Sequence, residues 1–362
     1  MSGIRKILFV TGQLECGGSE RQLYNLAENL LKTGIRIKVA SFNFHEDFYA
    51  ARLRALGVEV ECLPGRLMRV ARLRRLVRDW KPHVVHSFSN FTNFPVWLAI
   101  SGLPAAGVGS WRSGYRAPLS KYGRLRYFLN THWPQIIVVN SLLALKEARE
   151  AMPERSGHFA CVENGINLAE FKMQAIPSTP PYELLGIGSL SEVKRWDRAL
   201  RVLRLLKDKG LPVNLSIAGA GGRREALERL ALDLQIGRSI RFLGLVKDVA
   251  RLIPRYHCVI HTSESEGAPN AALEALACGR PVVAMNTGDI ERILRCQNGE
   301  YLVQQGNEIG MAEAIEKLIS APRSFERIGR ANRAWMEENY SIEHSARRML
   351  EVYTEARRRL EL

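Results

Sequence analysis

In the stretch SESEGAPNAALEALACGRPVV, Ser263 to Val283, two glutamates stand eight positions apart, with Gly267, Ala268, Pro269 and Asn270 directly after the first. The stretch follows a β-branched run, CVIHTS, and enters NAALEALACG, an apolar helical pattern stopped by Gly279 and Pro281. Glu266 then falls in a strand-to-helix loop and Glu274 about one turn inside the helix. A helix beginning near Asn270 aims free backbone N–H groups and its positive dipole end outward, which suits a phosphate. Carboxylates accept hydrogen bonds and repel phosphate, so their natural partners are the hydroxyls of a sugar and a ribose. The combination suggests a nucleotide sugar. Standing alone, the pair is better explained by a Glu274 that caps or pairs on a helix surface.

Other loops carry the same kind of signal. GIGSLSEVKRWDRAL, Gly186 to Leu200, is a strand, a glycine turn and a helix, with Lys194 placed either to reach an anion at the sheet edge or simply to be solvated. IAGAGGRREAL repeats the layout, and Gly219 and Gly221 allow the backbone close to a ligand. TGQLECGGSERQL sets Gly17 and Gly18 at the start of the first helix without the GxGxxG fingerprint, which disfavours a nicotinamide enzyme. His86 ends the HVVH strand and reads either as an acceptor contact or as a packed, hydrogen-bonded histidine.

These loops need strands to hold them. KILFVTG, IRIKVASF, VEVECL, HVVHSF, AAGVGS and QIIVVN are short β-branched runs separated by helical segments, the pattern of a parallel sheet covered on both faces. The pattern breaks at MQAIPSTPPY and restarts with YELLGIGSL, VNLSIAGAGG, IRFLGLV, HCVIHTS, RPVVAMN and EYLVQQ. The expected organisation is a Rossmann-like domain over 1–172, a linker over 173–181, a second Rossmann-like domain over 182–340, and a C-terminal helix over 341–362 packing back on the first domain. Ligands of open α/β sheets sit beyond the carboxyl ends of the strands, so two such domains would form a cleft there.

The 362 residues, 46% hydrophobic and 25% charged, suffice for two globular cores. No run approaches the ~18 apolar residues of a membrane span, and MSGIRKILFV enters a strand without a signal-peptide layout, so a cytoplasmic protein is expected. Six cysteines without metal-ligand spacing read as reduced and mostly buried, and no metal site is expected. Of the net charge of +15, the larger share lies in residues 1–180, with 24 Lys/Arg against 13 Asp/Glu. It concentrates in RLMRVARLRRLVRDWK, Arg66 to Lys81, and RSGYRAPLSKYGRLR, Arg112 to Arg126. Such runs fit a basic amphipathic helix on an anionic membrane, a nucleic-acid footprint, or a solvated face.

The motifs GGSERQLYNLAENLLKTG, HVVHS, VVNS, VENGINLAEF, GSLSEVKRW, IAGAGGRREALERLA, IRFLGLVKDV and above all ESEGAPNAALEALACGRPVVA resemble the family 4 glycosyltransferases over nearly the whole chain. The resemblance implies an α/β GT-B fold, two Rossmann-like doubly wound domains facing across a cleft, the first binding the acceptor and the second the nucleotide sugar. It implies that Glu266 approaches the donor sugar hydroxyls, Glu274 holds the ribose, and the backbone of Gly267, Ala268, Pro269 and Asn270 meets the sugar and diphosphate. Lys194 neutralises the diphosphate, Gly17 and Gly18 close over it, and the backbone near Leu245 and Val246 meets the base. Two departures stand out. Relatives often carry Arg where this chain has Ser189, leaving Arg195 or Arg198 to substitute, and Arg112 falls about where many relatives place a donor-site His.

The implied reaction is retaining hexosyl transfer from a UDP- or GDP-linked sugar to an acceptor hydroxyl, without a cofactor. No DxD occurs in the sequence, in keeping with metal independence. The basic first domain adds the expectation of a lipid-linked or saccharide acceptor in cell-envelope polysaccharide synthesis, such as lipopolysaccharide, reached by peripheral docking on the cytoplasmic face. The rival readings are a sugar-nucleotide epimerase or hydrolase on the same scaffold, a phosphorylase-like enzyme, and a nucleic-acid-binding protein. The last leaves the two glutamates unexplained, and no nucleic-acid partner is expected.

Overall fold

The computed structural model describes residues 3–43, 48–65, 68–112, 124–177, 179–297 and 299–361, without the side chains of 124, 126 and 127. Arg66 and residues 113–123, which hold much of the second basic run, lie outside the described residues. The chain divides into two compact units, one of residues 1–165 with 342–362 and one of residues 166–341.

The first unit carries β1 (Lys6–Thr11), β2 (Arg36–Ser41), β3 (Glu59–Cys62), β4 (Val84–Ser87), β5 (Ala106–Trp111), β6 (Ile136–Val139) and β7 (Phe159–Cys161). They form a parallel sheet in the order β3-β2-β1-β4-β5-β6-β7. Its central strands are buried on both faces, which is why they read as unbroken apolar runs. Ile7 and Phe9 of β1 face one core and Leu8 and Val10 the other. On the first face lies helix α1 (Gly18–Leu31), whose Leu23, Leu26, Ala27 and Leu30 recur at helical spacing and are buried. On the other lie three helices.

 Helix α2 (Arg69–Trp80) anchors there through Leu73, Val77 and Trp80 and leaves its arginines outside. The two others are α3 (Asn93–Ile100), which buries Val96, Ala99 and Ile100, and α4 (Arg124–His132), tied to α3 where Asn93 Nδ2 donates to the Asn130 carbonyl at 3.1 Å. Further along the same face, α5 (Leu142–Ala151) packs on Ile137 and Val139 of β6.

The second unit carries β8 (Tyr182–Ile187), β9 (Val213–Ala218), β10 (Ile240–Gly244), β11 (Cys258–His261), β12 (Val282–Met285) and β13 (Leu302–Val303). These strands also run parallel, in the order β10-β9-β8-β11-β12-β13. Strand order reverses between β8 and β11, and the crevice for a ligand in such a sheet lies beyond the strand ends at that point. Helix α6 (Trp196–Asp208) follows β8, α7 (Asn270–Ala277) follows β11, and α8 (Phe325–Asn339) covers α7.

The division falls upstream of the expected linker at 173–181. Two buried or partly buried arginines explain why. Arg280 is fully buried and donates to the carbonyls of Gln174, Ala175, Pro254 and Cys278 at 2.7–3.1 Å. Arg333 on α8 donates to the carbonyls of Leu168, Phe171 and Ala277. Residues 168–175 are thereby held to the second unit, whereas a proline-rich composition reports only that they are not helical. The last helix, α9 (Ile342–Glu361), belongs to the first unit, where Ala346, Met349, Val352, Tyr353 and Ala356 complete the core beside α1.

Candidate active site

The loops after β8 and β11 meet at the point where the second sheet reverses its order. Gly186 is bare because the Trp196 ring lies where a Cβ would project, 2.5 Å from it, and Trp196 Nε1 donates to the Ser189 carbonyl at 3.0 Å. A short 3-10 turn, Glu192–Lys194, then turns the chain through Arg195, which takes a left-handed φ of 50° to start α6. Thr262 Oγ1 donates to the Lys194 carbonyl at 2.9 Å and fixes that turn to the end of β11. The result is an ion pair between Lys194 Nζ and Glu266 Oε1 at 2.5 Å, with both side chains about one-fifth exposed, 22% and 18%.

Electrostatics decide the state of this pair. Burial pushes the Glu266 carboxyl up, but the Lys194 ammonium, His261 and a hydrogen bond from Ser263 outweigh it, and its pKa lies below the ordinary 4.5. Glu266 is therefore a carboxylate at neutral pH, able to accept hydrogen bonds and unable to donate a proton. The loop that carries it rests on a platform: Gln305 Nε2 donates to the carbonyls of Ser263 and Glu264, and Asp289 N donates to the Gly267 carbonyl at 3.0 Å. Gly288, at φ 56°, has the Gly267 carbonyl oxygen 2.3 Å from where its Cβ would stand, so only glycine fits beneath the loop.

Pro269 precedes α7 in extended conformation and no side chain caps the helix. Glu274 lies one turn in and is 3% exposed, which excludes a solvated helix surface as its environment. Gly219 and Gly221 are explained by loop packing: their Cβ atoms would stand 1.8 Å from the Gly188 carbonyl oxygen and 2.6 Å from that of Leu190. They bring the loop after β9 against the one after β8. Ser189 faces Ser191 across a 3.1 Å hydroxyl contact. Leu245 stands exposed beyond β10, and Val246 is half-buried against the core.

Neither candidate for the missing diphosphate cation is turned to that task. Arg195 grips Asp197 with two nitrogens at 3.0 and 3.1 Å and reaches Glu264 at 3.1 Å. Arg198 is buried, with Nη1 on Gln305 Oε1 at 3.1 Å and Nη2 3.8 Å from Glu264. Asp197, Glu264 and the Gln305 amide engage the two guanidinium groups, an outcome that spacing in the sequence does not reveal.

In the first unit, Gly17 is the extended N-cap of α1 and Gly18 its first residue, again without a side-chain cap. His86 is fully buried, and both ring nitrogens are engaged at 2.7 Å, Nδ1 with Tyr353 Oη of α9 and Nε2 with Ser110 Oγ. That geometry makes it a core histidine joining β4, β5 and α9, the packed and hydrogen-bonded one of its two readings, and leaves neither ring nitrogen for an acceptor. Arg112 lies over the Phe88 ring, 3.8 Å from its centroid, and donates to Asn164 Oδ1 at 3.2 Å. Burial lowers its pKa to about 10, against the opposing influence of Tyr353 and Glu20, and it remains a cation at neutral pH.

Sequence reasoning missed His261, Thr262, Gly288 and Gln305. His261 ends β11 with 4% exposure, and its Nε2 has no partner among the described residues. Burial lowers its pKa from 6.5 to about 4. His86 and His257 are lowered by burial as well. Below about pH 6.5 the unfolded chain takes up protons that these native imidazoles refuse, so stability falls as pH drops. Melting temperature is expected to decline steadily from about pH 7 to about pH 5. A flat profile across that range would overturn this account.

The family described as Glycosyl transferases group 1 matches residues 169–335, and Glycosyltransferase Family 4 matches residues 16–170. A glycosyltransferase of Haemophilus influenzae is 30% identical over 358 residues, spanning 92% of this chain and 96% of that protein. Glycogen synthase of Mycobacterium tuberculosis is 26% identical over 344 residues, spanning 90% of this chain and 81% of the relative. In fold, the chain is similar to Anabaena HepE in complex with UDP-glucose, with a TM-score of 0.83 at 18% identity over 97% of this chain and 99% of that one. Two Rossmann-like units in sequence match the GT-B architecture of such neighbours. With a relative matched along nearly the full length of both chains, and each half matching its own part of the family, the chain belongs to the family 4 glycosyltransferases.

Proposed function

We propose that this glycosyltransferase moves a hexosyl group, with retention, from a nucleoside-diphosphate sugar to the hydroxyl of a saccharide or lipid-linked acceptor. The observation that carries this reading is the Lys194–Glu266 pair at the switch point of the second sheet, with buried Glu274 on the helix that follows. The barrier to transfer is departure of the diphosphate while positive charge grows on the sugar, so charge placed in advance is worth most. Lys194 bears the cation for the leaving group, and the uncapped start of α7 adds backbone N–H groups. Glu266, held ionised, accepts hydrogen bonds from sugar hydroxyls, and Glu274 accepts them from the ribose. The HepE neighbour, which was solved with UDP-glucose, supports a donor of this class.

Lys194 supplies the positive charge locally, so we propose transfer without a divalent ion, and chelation is expected to leave the rate unchanged. Retention is read from the anomeric configuration of the product, and an inverted linkage would refute it. The donor site is tested with a thermal-shift panel of UDP, GDP and their sugar conjugates on wild type and Glu274→Ala. One nucleotide at about 100 times its Kd should stabilise the wild type by about 2.7 kcal/mol. That shift should vanish in the variant. Equal shifts in both proteins would remove Glu274 from the site.

A further inference from the structure

Arg112 of the first unit differs from the buried and partly buried arginines of the second. Arg280 serves four carbonyls, Arg333 three, and Arg195 holds two carboxylates through three hydrogen bonds. Arg112 has the same five N–H donors and uses one of them, Nη1 to Asn164 Oδ1. Its Nε is buried without a partner, and no carboxylate among the described residues stands within ion-pair distance of the guanidinium. Residues 113–123, which follow it, contain no Asp or Glu. A charge taken out of water is ordinarily compensated where it sits, because an uncompensated one forfeits its hydration. Arg112 lacks that compensation.

Its surroundings lie where a sheet of this kind receives a ligand. Strand β5 ends at Trp111, so the guanidinium stands directly beyond a carboxyl end, and buried Phe88, the first residue after β4, carries it on its ring. The first sheet reverses its order between β1 and β4, and α1, which follows β1, brings Glu20 close enough for the two charges to influence each other's ionisation. Glu20 is nonetheless turned toward its own helix. Its carboxyl accepts from the Gln13 side chain, and Oε2 lies against Gly17 in the space a Cβ would take. Glu20 thus moderates the positive charge without filling the donors of Arg112.

We propose that Arg112 binds a carboxylate carried by one of the sugars in the reaction, so that the enzyme works on an acidic saccharide. A carboxylate fits better than a phosphate for two reasons. The planar guanidinium presents paired N–H groups that match the two carboxylate oxygens, and a single cation with Glu20 nearby repels a second negative charge. A neutral sugar leaves Nε and the charge uncompensated, and sites built to pair a polar group discriminate against the analogue that lacks it. The inference rests on the transferase reading for the ligand being a sugar. Its residues are separate from Lys194, Glu266 and Glu274.

Two pairs of probes, compared by titration calorimetry, locate the carboxylate. For the nucleotide that the thermal-shift panel selects, its glucuronic acid conjugate against its glucose conjugate tests the transferred sugar; glucuronate against glucose, on the protein alone, tests the acceptor. Wild type should favour the acidic member of at least one pair by about 10-fold or more. Arg112→Met should abolish that preference, and Arg112→Lys, which keeps the charge without the fork, should retain part of it. Equal affinities within both pairs overturn the proposal, as does a preference that survives in Arg112→Met. Without ligand, Arg112→Met should melt no more than about 5 °C below wild type, since it removes a buried charge that has no counter-ion. A larger loss would make Arg112 a structural residue and overturn the proposal too. A preference for glucuronate with no nucleotide shift in wild type would uphold the carboxylate site and sink the donor reading instead.

Discussion

Lys194→Ala is expected to lower kcat by about 10²–10³, the typical cost of removing one preplaced group that stabilises transition-state charge. Two effects combine. The diphosphate leaves without its cation, and Glu266 loses the ammonium that now sits 2.5 Å from it. With that partner gone, burial is the dominant influence on the Glu266 carboxyl and raises its pKa. The acidic limb of the kcat profile should therefore move to higher pH in the variant, a change that a merely weakened fold does not produce. Lys194→Arg keeps the charge and should recover part of the rate. The measurement is turnover of the donor identified by thermal shift, followed across pH. A kcat within about threefold of wild type, with an unmoved acidic limb, would exclude Lys194 from the charge-stabilising role.

Arg280→Met is expected to destabilise the second unit by about 3–5 kcal/mol, the cost of leaving several buried carbonyls without a donor. The side chain is fully buried and its guanidinium serves four carbonyls drawn from three segments, residues 174–175, 254 and 278. Burial lowers its pKa to about 10, so it is still charged at neutral pH. Methionine fills much of the volume but leaves those carbonyls without donors, each costing about 1–3 kcal/mol if water cannot reach it. The expected outcome is a melting transition about 10 °C lower. Because Arg280 lies outside the Lys194–Glu266 contact, nucleotide affinity measured well below the transition should change little. An unchanged melting temperature would mean that the linker segment is held by other contacts.

How far the sequence reaches differs from residue to residue. Lys194 and Glu266 were legible because both sit at the carboxyl ends of β-branched runs, and parallel strand order brings such ends together. Glu274 was legible as a helical acid, though its burial was not. The roles of Arg195 and Arg198 were not legible, because a cation's partner is chosen by loops that close from Glu264 and Gln305, far apart in the chain. Gly219 and Gly221 were read as making room for a ligand, whereas the close neighbours are the carbonyls of the adjoining loop. The expected linker failed for a related reason. Prolines mark irregular backbone, while what binds residues 168–175 is the set of arginine contacts from Arg280 and Arg333, which no local pattern announces. His86 illustrates the same limit, since its partner Tyr353 lies 267 positions away.

That distance also bears on synthesis. The chain is made from its N-terminus, and the first sheet is complete once β7 has left the ribosome, yet its core still lacks α9. Until residues 342–361 emerge, Leu23, Leu26 and Phe9 have apolar surface with no cover, and the buried His86 has no hydroxyl for Nδ1. The second unit, by contrast, is contiguous and has all its strands and α8 before α9 is translated. The half that begins first is thus the half that finishes last, and a nascent chain halted before Ile342 presents a folded second unit joined to an open first core that is a ready substrate for chaperones and proteases.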